Sequence, residues 1–178
     1  MSSTNNFIFK GLTVIAWIIF VGLCIEAGAL LFNFIYSLFK PEVVNNLYQK
    51  LDLSDMYERS EMIYFGMYGF ILTIAVLKAV LFYYVILLTG KINLTKPFSE
   101  YVSKQITNIS YLTFSIGVIS YIARQTAKSM MHYGINTDNL NQFWTDSQAF
   151  ILMAAVIYVI AVIFKKGIEL QNENDLTV

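Results

Sequence analysis

Cysteine and histidine occur once each in this 178-residue chain, and proline only twice. A single thiol, Cys24, cannot close an internal disulfide, and its place inside an apolar run gives no reading of redox compartment. The one histidine, His132, falls in a polar loop with no cysteine near it, short of the four ligands a structural zinc site uses, so no metal is expected. Charge is also scarce. Charged residues make up 13% of the chain, against about 25% in an average soluble protein. Twelve Lys and Arg balance twelve Asp and Glu. Zero net charge argues against direct nucleic-acid binding, which needs cations gathered on one face to neutralise phosphates. A Ser/His/Asp set, a phosphate-cradling glycine loop and metal-ligand spacing are all missing. The chain is therefore not expected to be an enzyme or to carry a cofactor.

What the chain does have is hydrocarbon: 57% of its residues are hydrophobic and 16% aromatic. So much apolar surface calls for a lipid bilayer as solvent. Four apolar segments, at about 12–39, 62–89, 106–126 and 146–166, are read as membrane helices, since about 20 residues at 1.5 Å each cross the hydrocarbon. The expected fold is all-α, an integral membrane protein forming one antiparallel four-helix transmembrane bundle. Between the spans lie outer loops at 40–61 and 127–145, an inner loop at 90–105 and an inner tail at 167–178. Lys10, the apolar residues 12–25 and "AGA" at 27–29 fit a signal peptide in outline. The apolar run continues to residue 39, however, too long for one, so an uncleaved first span is expected.

Local signals refine the helix ends. "TDSQ" at 145–148 reads as a capping box before the fourth span, and "DMYE" at 55–58 has the same spacing with Asp55 as cap. Pro97 suits the first position of the third helix, whose apolar residues Phe98, Val102, Ile106 and Ile109 keep helical spacing into the span. Val43, Val44, Leu47, Tyr48 and Leu51 recur at a similar period and predict a short amphipathic helix lying on the membrane surface. With both termini cytoplasmic, the inner side holds Lys10, Lys91, Lys96, Lys104, Lys165 and Lys166, one more cation than the outer Lys40, Lys50, Arg59, Arg124 and Lys128. That orientation is the expected one.

The ending "FKKGIELQNENDLTV" at 164–178 joins a basic pair to Gly-Ile-Glu-Leu-Gln, an acidic and amide run and a final Leu-Thr-Val. Together with "KPF" at 96–98, it resembles the bacterial four-span membrane proteins catalogued as domain of unknown function 2975. The resemblance implies a bacterial cytoplasmic-membrane protein, multi-pass, with no catalytic residues to carry over. It also implies a link to a small helix-turn-helix regulator, and so to signalling.

Glu26 and Lys78 are the sharpest individual features, one charge in each of the first two spans. A lone charge at mid-bilayer costs roughly 2.5–3.5 kcal/mol or more, so such groups usually face inward and pair. Glu26 lies about 21 Å from the inner edge and Lys78 about 17 Å by helical rise, a gap a lysine stem can span. Three readings stand: an ion pair that fixes helix register, a proton or cation relay, or Lys78 snorkelling alone to the interface. Arg124 is a competing partner for Glu26. In the third span Ser110, Thr113, Gly117 and Ser120 share one face with Arg124, either lining a polar cavity or marking a close helix contact. Glu169, Leu170 and Gln171 of the tail are expected to continue the last helix and dock on the inner loop or on a cytosolic partner. The sequons at Asn93 and Asn108 read as chance matches. Trp17, Phe143, Trp144 and the many Tyr and Phe read as interface or packing aromatics. The functional expectation is a partner-binding or signalling membrane module in contact with the lipid bilayer, as monomer or homo-oligomer. The rival is a small oligomeric transporter or channel, and what Glu26 and Lys78 contact separates the two.

Overall fold

The structure is a computed structural model that describes residues 3–92 and 98–176, with side chains from 7–92 and 98–173. Asn93, Lys96 and Pro97 lie outside the described residues, and with them one sequon, most of "KPF" and the proposed first helical position. All regular structure in the described residues is helical. Helix α1 is Ser3–Phe39, α2 Ser54–Arg59, α3 Glu61–Lys91, α4 Glu100–His132 and α5 Ser147–Leu176. α1, α3, α4 and α5 are long and apolar enough to cross a membrane, and each runs antiparallel to the next. The bundle is open rather than closed into a ring: α1 packs on α3, α3 on α4 and α4 on α5, while α1 makes no extended contact with α4 or α5 among the described residues.

The α1–α3 seam shows why the outer helices need no amphipathic pattern. Ala16, Phe20, Leu23, Ala27, Leu30, Phe34 and Ser37 repeat at three- and four-residue steps along one line of α1, the spacing that keeps a seam facing a neighbour. Phe20 meets Tyr83 with ring centroids 6.1 Å apart, and Phe34 meets Tyr68 at 5.3 Å. Around the rest of α1, residues such as Val14, Ile18, Ile25 and Phe32 are equally apolar and exposed. In lipid that exposure costs nothing, so α1 can be hydrophobic all round. α4, the most polar span, is held between α3 and α5.

The residues between α1 and α3 correct the expected surface helix. Pro41–Asn45 and Tyr48–Lys50 form two separate 3₁₀ turns. Gln49 and Lys50 take positive φ of 61° and 58°, which no continuous helix allows. The chain instead doubles back: the Leu47 amide donates to the Leu51 carbonyl at 2.9 Å, and the Leu53 amide to the Val44 carbonyl at 3.0 Å. Val44, Leu47, Leu51, Leu53 and Met56 are all buried as a result, in one cluster with Leu30 and Tyr64. A four-residue spacing of apolar residues fits a tight turn as well as a helix, and burial against the bundle end decides between them.

Two caps differ from expectation. Asp55 caps nothing. Asp52 does the work, its Oδ1 accepting from the Ser54 amide at 3.0 Å and the Ser54 hydroxyl at 2.6 Å to start α2. Those two bonds hold the Asp52 carboxyl below its ordinary range. Thr145 donates back to the Asn141 carbonyl at 2.5 Å rather than accepting from α5, so "TDSQ" is not a working capping box. At the start of α4 the Ser99 hydroxyl accepts from the Val102 amide at 3.3 Å, a standard N-cap.

Candidate functional site

Glu26 and Lys78 lie at one depth. Counting from the Phe20–Tyr83 contact, Glu26 is six residues along α1 and Lys78 five residues back along α3, about 9 Å and about 7.5 Å at 1.5 Å per residue. The expected ion pair is nevertheless not made. No hydrogen bond or ion pair joins the two, and neither has one with any other described residue. Glu26 lies at the edge of the α3-facing line of α1, about 100° around the helix from Ala27 and about 40° from Leu30. Lys78 shares the face of Ile71, Ile74 and Ala75, all buried. Both side chains are half-buried. Depth, which a sequence can count, agrees; azimuth depends on the line along which two helices touch.

Arg124 is not joined to Glu26 either. It stands eight residues before the end of α4, about 12 Å, whereas Glu26 is thirteen residues or about 20 Å from the end of α1 on that side. The hydroxyl stripe of α4 resolves into helix packing. Ser110 donates to the Ala154 carbonyl of α5 at 2.9 Å, and Thr113 to its own Ile109 carbonyl at 2.7 Å. Ser110, Thr113, Gly117 and Ser120 are all buried. At Gly117 a Cβ would lie 2.7 Å from Ile151 Cγ1 and 3.0 Å from the Ile151 amide nitrogen, so only glycine admits α5 this closely.

The tail helix does continue, through Leu176. Lys166 and Glu169 form an exposed i,i+3 ion pair at 2.6 Å. Leu170 is exposed, and Gln171 is half-buried. Contact with the inner loop comes one turn earlier. The Phe98 ring lies on Gly167, where a Cβ would meet it at 2.5 Å, and 5.2 Å from the Phe164 ring. His132 is the last residue of α4 and is exposed.

Two arrangements escaped the sequence reading. The first is a buried tyrosine ladder on α3. Tyr64 donates to Ser37 Oγ at 2.8 Å, Ser37 donates to the Phe34 carbonyl at 2.7 Å, and Tyr68 donates to the Leu30 carbonyl at 2.9 Å. These bonds satisfy polar tips within apolar surroundings and pin the C-terminal half of α1. The i, i+4 spacing of Tyr64 and Tyr68 was visible; their partners on another helix were not. The second is a clamp between the α1–α3 and α4–α5 connections. Arg59 donates from its two terminal nitrogens to the Tyr133 carbonyl at 2.9 Å and the Gly134 carbonyl at 3.0 Å. Those carbonyls belong to a Schellman ending of α4, with the Ile135 amide on the Met130 carbonyl, the Gly134 amide on that of Met131, and Gly134 at φ +77°. A cation at this end also meets the negative pole of the helix dipole.

Comparison with known proteins adds one match. A family model described as a protein of unknown function (DUF2975) matches residues 51–178, a range that takes in α2 to α5 and leaves α1 outside. No curated protein and no solved structure matches the chain. The chain thus belongs to this family of unknown function, and is a multi-pass helical membrane protein within it.

Proposed function

We propose that this protein is a non-enzymatic membrane module that binds a protein partner, seated in the bacterial cytoplasmic membrane with both termini cytoplasmic. The observation that carries the reading is Glu26. It is a carboxyl midway along α1, half-buried, without a partner among the described residues, on a helix held along a single line by α3. A carboxyl in hydrocarbon calls for a donor, and a helix of another protein lying against the free side of α1 supplies one. The link to a small regulator that the family resemblance implies makes a signalling partner the first to seek. The orientation rests on the excess of lysines at the end where α1 begins and α5 finishes.

A photo-crosslinking residue at Ile25, exposed beside Glu26, tests the reading in native membranes. A discrete adduct is expected, and it disappears when Glu26→Leu is added. Adducts that persist unchanged in the Glu26→Leu background refute it. Thiol labelling of introduced cysteines at 40–61 in intact cells checks the orientation. The rival, a small oligomeric transporter or channel, draws on the shared depth of Glu26 and Lys78. It requires ion flux into vesicles holding the purified protein, abolished by Glu26→Gln.

A further inference from the structure

At the end of the bundle where α1 begins and α3 stops, the two helices part over an open groove of about 490 Å³. Phe9, Lys10, Thr13 and Val14 of α1 and Thr89 and Gly90 of α3 line it. We propose that this groove seats an anionic phospholipid with a hydroxyl-bearing headgroup, its phosphate on the Lys10 ammonium and an acyl chain along Phe9 and Val14.

The lining has the polarity of such an amphiphile. Among the described residues Lys10 is the one charged group in it, is exposed, and has no ion pair. The next described lysine, Lys91, is engaged elsewhere, with its ammonium 5.1 Å from the centre of the Tyr101 ring. No described carboxylate lines the groove to compete for the Lys10 charge. Position agrees too, since the groove lies where the apolar run of α1 begins and that of α3 ends. Cations between helix ends at that level attract anionic headgroups.

The two threonines narrow the headgroup. The Thr13 hydroxyl already donates to the Phe9 carbonyl at 2.9 Å, and that of Thr89 to the Val85 carbonyl at 3.0 Å. Each hydroxyl has one proton, so what remains on both oxygens is acceptor capacity. They suit the hydroxyl donors of a glycerol headgroup and offer nothing to a phosphate, which falls to Lys10. A choline headgroup fits badly on both counts: it has no hydroxyl, and it brings a cation toward Lys10. Gly90 leaves the floor open, since a Cβ there would meet nothing within 4 Å.

The test is lipid binding to the full-length protein in mild detergent, by native mass spectrometry, with phosphatidylglycerol and phosphatidylcholine of equal chain length. Phosphatidylglycerol is expected to bind severalfold tighter. Lys10→Gln should weaken it about fivefold, the factor that roughly 1 kcal/mol per juxtamembrane cation corresponds to, with phosphatidylcholine unchanged. Gly90→Leu fills the groove without touching charge, and the open space at that position lets the variant fold; binding of both lipids should fall. Lys128→Gln, at the opposite end of α4, should change neither. Equal binding of the two lipids by the native protein overturns the proposal. So does a loss in Lys128→Gln matching that in Lys10→Gln, or undiminished binding by Gly90→Leu.

Discussion

Replacing Gly117 by alanine adds one methyl group at the tightest point between α4 and α5. Its Cβ would stand 2.7 Å from Ile151 Cγ1 and 3.0 Å from the Ile151 amide nitrogen. Ordinary carbon contacts fall near 3.5–4.0 Å. A rotamer change can move Cγ1, but the amide nitrogen moves only with α5, and α5 is also tied here by the Ser110–Ala154 hydrogen bond. Overpacking of this kind costs about 1–3 kcal/mol. Trp144 is a built-in reporter, 1% exposed three residues before α5, and Trp17→Phe removes the competing signal of a residue that is 49% exposed. Unfolding in an SDS titration, followed by Trp144 fluorescence, should shift by that amount for Gly117→Ala. Gly66→Ala, where a Cβ meets nothing within 4 Å, should be unchanged or slightly more stable, since alanine is the better helix former. Adding Ile151→Ala to Gly117→Ala removes the Cγ1 collision and leaves the one with the amide, so partial recovery relative to the two single losses is expected. If Gly117→Ala and Gly66→Ala unfold together, α4 and α5 are not packed through this residue.

Three further outcomes follow from the same geometry. Without an ion pair between them, Glu26→Leu and Lys78→Met should act additively in the SDS titration, the double variant equal to the sum within about 0.5 kcal/mol; recovery in the double variant would show that the two charges do meet. Arg59→Met should loosen the clamp on the Tyr133 and Gly134 carbonyls and raise amide hydrogen exchange at 133–135 while leaving the spans protected; Arg59→Lys, lacking the two-pronged guanidinium, should rescue only partly. Asp52 is held below its ordinary 3.8 by the Ser54 bonds, so its contribution is fully present above that value and is lost as pH falls through the lower folded value. Proteolysis within 41–59 should therefore rise on acidification below about pH 4, and Asp52→Asn should remove that pH dependence; an unaltered profile would discount the turn.

The number of membrane-length helices and their antiparallel succession were legible in the sequence, because a bilayer imposes a length on apolar segments and short loops reverse the chain between them. The equal depth of Glu26 and Lys78 was legible for the same reason, since rise per residue is fixed. The family was legible in the tail string. Tertiary structure decided the rest, and each case has the same cause. Whether Glu26 meets Lys78 depends on where each side chain runs at the edge of the α1–α3 contact, which depth alone does not give. Whether Ser110, Thr113, Gly117 and Ser120 line a cavity or a contact depends on how near α5 comes. The leucines between α1 and α3 match a helix or a turn equally well in one dimension, and burial against the end of the bundle selected the turn. Tyr64, Tyr68 and Arg59 drew no attention as residues because their partners, Ser37, the Leu30 carbonyl and the end of α4, lie 27 to 75 positions away. Sequence fixes what each helix can bury, and packing alone chooses which neighbour buries it.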